Sequence, residues 1–354
     1  MRRLLLLVSA LVAVDTMLFA ALTPLLPHFA SSLHLSKTGA GVLVGAYAAG
    51  ALVGGLPGGA AAARLGSRRA VLVGLTLMGL SSLAFAFAHG YWALCGARFL
   101  QGCGSGFTWA VFGALFGPVV GALAALVGRA PVFVALAGLA VVLGVWSFRI
   151  EPAPPEHPSA AAMSRALRNS VFLGGLALMC LPALLFGVLS TLAPLHLSAA
   201  GWGAAAIGAV WLVGAALETV ISPATGRVLD RRGARLPVEF SLAAGTLLSI
   251  GLAIGPRPLL YVPLVVLSAG AFGILFTPAF ALLADGAEQS RLPQGMAFGL
   301  MNAAWAMGAL LGPAAGGAIA AASGDVVPFL IAAALCAGGF VVVRWRAPAA
   351  IAEP

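Results

Sequence analysis

The chain has 354 residues, of which 61% are hydrophobic and only 8% are charged. An ordinary soluble domain has about 25% charged residues, so this composition excludes a soluble globular protein and indicates an integral membrane protein with an apolar outer surface. The net charge of +9 does not indicate nucleic-acid binding, because the basic residues form short clusters between apolar stretches. All four cysteines lie within apolar stretches without zinc-ligand spacing, so we expect neither disulfides nor a metal site.

Apolar stretches of about 20 residues, the length that crosses the hydrocarbon core of a bilayer, follow one another along the chain. In order, they predict twelve membrane spans: 4–26, 38–62, 70–88, 91–110, 111–128, 131–149, 170–193, 203–225, 236–255, 259–284, 294–321 and 326–345. The first stretch follows two arginines as in a signal peptide, but it is too long for a signal core, so we expect a retained helix. The sequence therefore predicts an all-α membrane protein with twelve transmembrane helices.

The basic residues are distributed unevenly between the two sides of this arrangement. With a cytoplasmic N-terminus, fifteen of the 19 Lys and Arg residues lie inside, Lys37, Arg129 and Arg257 lie outside, and Arg98 lies within span 4. Cytoplasmic loops are enriched in basic residues, so both termini are predicted to be cytoplasmic. The Pro-rich stretch 150–169 is predicted to be a cytoplasmic linker between two six-helix halves, 1–149 and 170–354.

The two halves share local sequence patterns. In each, a glycine precedes a basic turn at the inner end of the second span: Gly59, Arg64, Arg68 and Arg69 in the first half, and Gly226, Asp230, Arg231 and Arg235 in the second. In each, a glycine stripe surrounds a proline in the fifth span: Gly113, Gly117, Pro118 and Gly121 in the first half, and Gly308, Gly312, Pro313 and Gly316 in the second. Such stripes favour close helix packing, and parallel repeats of this kind are typical of secondary transporters.

These segments resemble motifs of the major facilitator superfamily, and the resemblance covers the whole chain. The Gly59 and Gly226 segments are similar to its motif A, residues 98–104 to its motif B, and Gly113 to Gly121 to motif C of its antiporters. Residues 15–27 and 278–320 resemble drug:proton antiporters and vesicular amine transporters. The resemblance implies a proton-coupled antiporter that exports small hydrophobic or cationic compounds by alternating access.

Two departures from the family pattern affect this interpretation. Ala63 replaces the motif A acid in the first half, so the family's gating role at that acid carries over only to Asp230. Gly59 and Gly117 are 58 residues apart whereas Gly226 and Gly312 are 86 apart, a shortfall of 28 that shortens span 5. We expect a short hairpin that turns near 106–112, where glycines weaken the helix. Whether the shortening is natural, engineered or an error in the gene sequence is left open.

Three ionisable residues within the spans are candidates for proton coupling: Asp15, Arg98 and Glu218. An ionisable side chain costs about 2.5 to 3.5 kcal/mol at the bilayer centre, so its presence indicates function. Asp15 and Arg98 are predicted at compatible depths, where a salt bridge or competition for a proton is possible. Alternatively, Arg98 donates to backbone carbonyls, Asp15 is a neutral core acid, and Glu218 extends to the inner interface.

Apolar and aromatic residues on spans 7, 8, 10 and 11 could line a cavity for a flat hydrophobic ligand: Phe186, Trp211, Phe276, Phe298, Met301, Trp305 and Met307. Each could instead face lipid or pack in the core. Asn302 is a more specific candidate for ligand binding, because an amide within a span requires a hydrogen-bond partner. No phosphate-binding loop, zinc motif or nucleophile elbow is present, so we expect no enzyme activity and no cofactor.

The sequence thus predicts a multi-pass transporter, acting as a monomer on a small molecule and protons in the lipid bilayer of a bacterial inner membrane. Two alternatives remain at this point. The protein could export or import a neutral metabolite, or the shortened span 5 could make it a membrane protein that does not transport.

Overall fold

The structure is a computed structural model. It describes residues 15, 17–65, 67–108, 129–148, 160–255 and 257–346. Within them the chain is helical and has no strand. The helices are α1 (Leu22–Ser32), α2 (Lys37–Leu65), α3 (Ser67–Phe87), α4 (Tyr91–Thr108), α5 (Arg129–Ser147), α6 (Ala160–Ala166), α7 (Ser170–Ala199), α8 (Ala204–Arg232), α9 (Arg235–Ala253), α10 (Pro258–Ile274), α11 (Phe276–Gln289), α12 (Gln294–Ser323) and α13 (Val326–Arg346).

Most of the predicted spans are present as helices. Eight segments of the described chain are long and apolar enough to cross a membrane, and they correspond to predicted spans 2, 3 and 7 to 12. Spans 1 and 6 are shorter apolar helices, Met17–Ser32 and Ala130–Trp146, and span 4 is α4. Span 5, with Gly113, Gly117, Pro118 and Gly121, lies outside the described residues. The prediction of an all-α membrane protein is confirmed.

Prolines account for two interruptions in these helices. The helix at 17–20 is interrupted at Ala21 before α1, and Pro24 and Pro27 follow. Span 10 is interrupted at Leu275, between α10 and α11, and Pro278 follows. A proline lacks an N–H group, so the carbonyl four residues before it loses its helical partner. The predicted end of span 1 at 26 is wrong, because the helix accommodates Pro27 and continues to Ser32.

The predicted linker contains an element that the sequence analysis missed. Helix α6 lies within it and buries Ala162 and Ala166. The guanidinium of Arg165 donates to the carbonyl of Ser290, and the side chain of Asn169 caps α7. This end of the linker is therefore attached to the C-terminal half. A seven-residue helix is too short to produce a hydrophobic period, which is why composition alone did not reveal it.

The described helices pack around two main hydrophobic cores. One contains buried residues from Leu18 to Leu143, and the other contains buried residues from Ala162 to Cys336. A small cluster of Ala48, Ala183 and Ala309 lies between them. Trp305 packs against all three clusters, so it occupies the junction of the two halves.

Helices α2 and α12 form the seam between the halves. A side chain at Gly41 would collide with the carbonyl oxygen of Pro313, and one at Gly317 would collide with the carbonyl oxygen of Lys37. The opposite side of α12 packs equally closely on α7, where Gly308 and Gly312 meet the backbone of Cys180 and Leu184. The glycines of the second repeated stripe therefore allow α12 to approach α7, and Gly317 on the opposite side allows it to approach α2.

Glycines also bring α2 and α4 together. Side chains at Gly50 and Gly102 would collide with the carbonyl oxygens of Phe99 and Tyr47, and one at Gly106 would meet the backbone of Gly54. The glycines of α4 were expected to weaken the helix near a hairpin turn. Instead, α4 continues to Thr108, so a turn does not begin at Gly106, because close packing on α2 stabilises the helix there. Residues 109–112 of the expected turn lie outside the described chain.

Candidate functional site

The centre of the site is the carboxyl group of Asp15. Asp15 is 4% exposed, and Tyr47 of α2 is fully buried. The Tyr47 hydroxyl donates a hydrogen bond of 2.5 Å to Asp15 Oδ1. The buried hydroxyl of Ser105, on α4, lies beside the same two groups. Three separate segments of the N-terminal half therefore surround this acid.

Arg98 of α4 is buried next to this group but is not paired with it. The three ion pairs that the described residues contain do not include Asp15 and Arg98. Instead, Arg98 Nη1 donates to the carbonyl of Leu18 at 2.6 Å, and Nη2 donates to that of Phe19 at 3.0 Å. These two carbonyls lie in the helical segment 17–20, just before the interruption at Ala21.

Two further contacts fix the orientation of the Arg98 guanidinium. Its carbon lies 4.7 Å from the centre of the Tyr47 ring, a favourable cation–π distance. Gln101, one turn further along α4, accepts a hydrogen bond from Arg98 and donates one to Ser82 of α3. Tyr47 thus contacts the Asp15 carboxyl group through its hydroxyl and the Arg98 guanidinium through its ring. Tyr47 was not predicted, although a tyrosine in the middle of an apolar span was a usable signal.

Aromatic contacts connect this charged group to the other half of the protein. The ring of Phe19 lies 5.4 Å from Tyr47 and 5.1 Å from Trp305 of α12. Of the predicted cavity residues, Trp305 is therefore the one that lies beside Asp15 and its partners.

Asn302, one turn before Trp305 on α12, is 2% exposed. Its amide nitrogen and oxygen both lack a hydrogen-bond partner within the described part of the chain. The amide faces α2, because a side chain at Gly55 would meet its nitrogen at 3.2 Å. A buried amide without partners is energetically costly, which is consistent with a role in ligand binding. Met301, its neighbour, is buried in the C-terminal core.

Glu218 lies apart from Asp15, on α8. Its carboxyl group packs on Gly273 of α10, where an added side chain would come within 2.9 Å of Glu218 Oε1. None of the ion pairs among the described residues involves Glu218. The structure therefore does not bring the three predicted ionisable residues into one cluster.

The remaining predicted cavity residues divide into two groups. Phe186 of α7 stacks on Phe276 at the α10–α11 break, with ring centres 6.2 Å apart, and Trp211 packs against the same core. Phe298 and Met307 are 46% and 47% exposed on α12 and do not join this aromatic group.

The predicted gating turns are only partly described. Gly59 and Arg64 lie in α2 and Arg68 lies in α3, but the burial of these three residues is outside the described part of the structure. Arg69 is exposed.

In the second half, Asp230 and Arg231 are exposed after Gly226. Arg235 instead pairs with Glu239 at 2.8 Å, and Glu239 also contacts Arg344 of α13. Glu239 was not predicted, although an acid within predicted span 236–255 was a usable signal.

Comparisons with known proteins bear on the identity of the chain. A sequence profile of the Major Facilitator Superfamily matches residues 5–117 and 109–294. No curated protein sequence matches. The crystal structure of the nucleoside transporter NupG matches with a TM-score of 0.70 at 15% sequence identity, covering 96% of this chain and 98% of that chain. A single-residue mutant of NupG matches with a TM-score of 0.67 at 14% identity, covering 96% and 97%.

At such low identity, the similarity to NupG shows the fold alone. The family profile is more informative, because it matches well over half of the chain. The predictions of a membrane transporter and of a protein that is not an enzyme are confirmed by the family and the fold together. The chain belongs to the major facilitator superfamily.

Proposed function

We propose that the protein is a proton-coupled antiporter that exports small hydrophobic or cationic compounds by alternating access. The observation that carries this proposal is the buried Asp15 carboxyl group, which accepts a hydrogen bond from Tyr47 and lies next to the junction of the two halves. Burial favours the neutral form of a carboxyl group, whereas a nearby cation favours its charged form. Asp15 is subject to both effects, so its carboxyl group can bind or release a proton when water enters or leaves its surroundings.

The coupling step requires that the proton and the substrate exclude each other. A cationic substrate near Asp15 favours the charged carboxylate and therefore displaces the proton. Phe19 and Trp305 provide an aromatic surface beside the acid, which suits the apolar part of such a substrate. Arg98 does not neutralise Asp15 directly, because its two terminal nitrogens are bonded to backbone carbonyls.

Glu218 is the second acid in this proposal. Its carboxyl group has no ion-pair partner among the described residues and lies in the C-terminal half, between α8 and α10. An acid in each half can attract a cation from either side of the bundle. This arrangement favours a cationic substrate over an anionic one.

The proposal also includes the two halves, the linker and the gating turns. Two halves, 1–149 and 170–354, would move around linker 150–169, with both termini in the cytoplasm of a bacterium and the monomer as the unit of transport. The basic turns at Gly59 and Gly226 would gate the inner face, and the Gly113 to Gly121 stripe would pack span 5. The attachment of α6 to the C-terminal half supports the proposed place of the linker.

Replacement of Asp15 tests the proposal. We expect Asp15→Asn to abolish proton release from proteoliposomes on addition of ethidium, a hydrophobic cation, because asparagine carries no exchangeable acidic proton. The matched control is Asp285→Asn, which alters an exposed acid of α11 and should leave the response unchanged. Equal proton release by the Asp15→Asn protein and the unaltered protein would disprove the coupling role.

One observation favours a second candidate, transport of a neutral ring-containing metabolite. The buried amide of Asn302 offers both a donor and an acceptor, one turn from the indole ring of Trp305. Such a pair suits a planar, uncharged molecule with polar edges, and the similar fold of NupG belongs to a nucleoside transporter. In the same proteoliposomes, uptake or release of uridine without any response to ethidium would favour this candidate.

A further inference from the structure

The inner end of α8 carries a basic cavity, which includes Arg231 of the proposed gating turn. Arg227, Val228, Arg231 and Arg232 line a cavity of about 330 Å³. The cavity is open to solvent, because Arg227, Arg231 and Arg232 are all exposed. Three guanidinium groups around one space create a strongly positive potential, so the cavity favours an anion.

The arginines of this cavity are not neutralised by the protein in the described part of the chain. None of the ion pairs found there involves Arg227, Arg231 or Arg232. Asp230 lies in the same turn, is exposed, and is in none of the ion pairs found among the described residues. In contrast, Glu239 neutralises the nearby Arg235. Among the described residues, the arginines of the cavity therefore have no ion-pair partner, whereas Arg235 and Arg344 both pair with Glu239.

The exposed face of α8 leads directly to this cavity. Val213 and Val220 are 55% and 73% exposed, and Ala216 and Ala224 are also exposed. These four residues recur at helical spacing, and Arg227 and Arg231 continue the same face at the next two positions. An apolar stripe that ends in arginines matches the change from hydrocarbon to headgroup at a bilayer surface.

We propose that this cavity binds the phosphate of an anionic glycerophospholipid, whose acyl chains lie along the apolar face of α8. Guanidinium groups bind phosphate oxygens through paired, charge-assisted hydrogen bonds. Basic pockets at the cytoplasmic ends of membrane helices attract anionic lipid headgroups. The apolar face between Val213 and Arg227 is about 21 Å long at 1.5 Å per residue. Free phosphate would contact only the arginines, whereas a lipid would contact both the arginines and this face.

Thermal unfolding of the detergent-purified protein tests this proposal with dioleoyl phosphatidylglycerol, dioleoyl phosphatidylcholine and inorganic phosphate. We expect phosphatidylglycerol to raise the melting temperature by several degrees and the other two to have little effect, because a ligand that binds only the folded protein stabilises it. In the Arg227→Gln, Arg231→Gln, Arg232→Gln triple variant, at least tenfold more phosphatidylglycerol should be needed for the same rise.

Two controls keep the result interpretable. Arg168→Gln removes an exposed arginine on the same side of the protein but outside the cavity, and its response to phosphatidylglycerol should match that of the unaltered protein. If the triple variant unfolds on purification, the single Arg231→Gln variant provides the comparison, because Arg231 is exposed and its loss leaves the core intact. An unchanged phosphatidylglycerol response in the triple variant, or in Arg231→Gln where that variant replaces it, would overturn the lipid assignment. An equal rise in melting temperature with inorganic phosphate would also overturn it.

Discussion

Tyr47 is the residue through which the acid and the base of the site influence each other. Its hydroxyl donates to Asp15 while its ring contacts the Arg98 guanidinium. The sequence predicted that Asp15 and Arg98 lie at similar depths, and the structure places them in one buried cluster. Their contact is indirect, because the Arg98 guanidinium donates to the carbonyls of Leu18 and Phe19 before α1.

Removal of one hydroxyl separates these two roles. In Tyr47→Phe, the ring beside Arg98 remains but the hydrogen bond to Asp15 is lost. A hydrogen bond to a charged group contributes about 1.5 to 3 kcal/mol, so proton-coupled transport should fall by about 10- to 100-fold. Measurement of ethidium-dependent proton release in proteoliposomes tests this. Tyr91→Phe, which removes a hydroxyl bonded to the carbonyl of Gly39, should have little effect, and equal losses in both variants would contradict a specific role for Tyr47.

At the scale of the helix, glycines determine which helices can approach closely. Gly50, Gly54, Gly102 and Gly106 allow α2 and α4 to meet backbone to backbone. Because α2 and α4 carry Tyr47 and Arg98, this contact also sets the distance between those side chains. Sequence spacing could reveal the small residues, but it could not reveal which neighbour each one faces.

Two glycines on α4 provide a direct comparison. A methyl group at Gly102 would collide with the carbonyl oxygen of Tyr47, whereas one at Gly96 would meet no atom within 4 Å. Overpacking costs about 1 to 3 kcal/mol, so Gly102→Ala should lower the thermal stability of the detergent-purified protein by several degrees. Gly96→Ala should be neutral or slightly stabilising, since alanine favours helix. If Gly96→Ala lowers stability as much as Gly102→Ala does, the close contact between α2 and α4 is not the cause.

Across the whole molecule, an ion pair joins the two halves at the predicted outer face. Lys37, at the start of α2, lies 2.5 Å from Asp325, which precedes α13. In the same region, Gly41 and Gly317 pack the seam, and Leu195 of α7 contacts the N-terminal core. Alternating access requires the halves to separate at each face in turn, so opening of this face must break the ion pair.

Loss of this pair should shift the protein toward opening at that face. A partly exposed ion pair contributes at most about 1 kcal/mol, so Lys37→Ala should raise the open population by about fivefold or less. The reporter is thiol labelling of Ala48→Cys, a fully buried position at the seam, in a protein whose four native cysteines are replaced. The charge-reversed pair Lys37→Asp with Asp325→Lys should restore slow labelling. Labelling that is unaffected by Lys37→Ala would show that the pair does not hold this face closed.

The sequence by itself determined the class of this protein, the positions of most helices and the family, because hydropathy, basic turns and glycine motifs are local properties of the chain. It also identified Asp15, Arg98 and Asn302 as unusual, since a polar group within a span is costly wherever it lies. Only the tertiary structure decided which groups meet. Tyr47 and Asp15, Phe19 and Trp305, and Lys37 and Asp325 are distant in sequence, and their contacts depend on how each helix is rotated and on how closely glycines let the two halves approach.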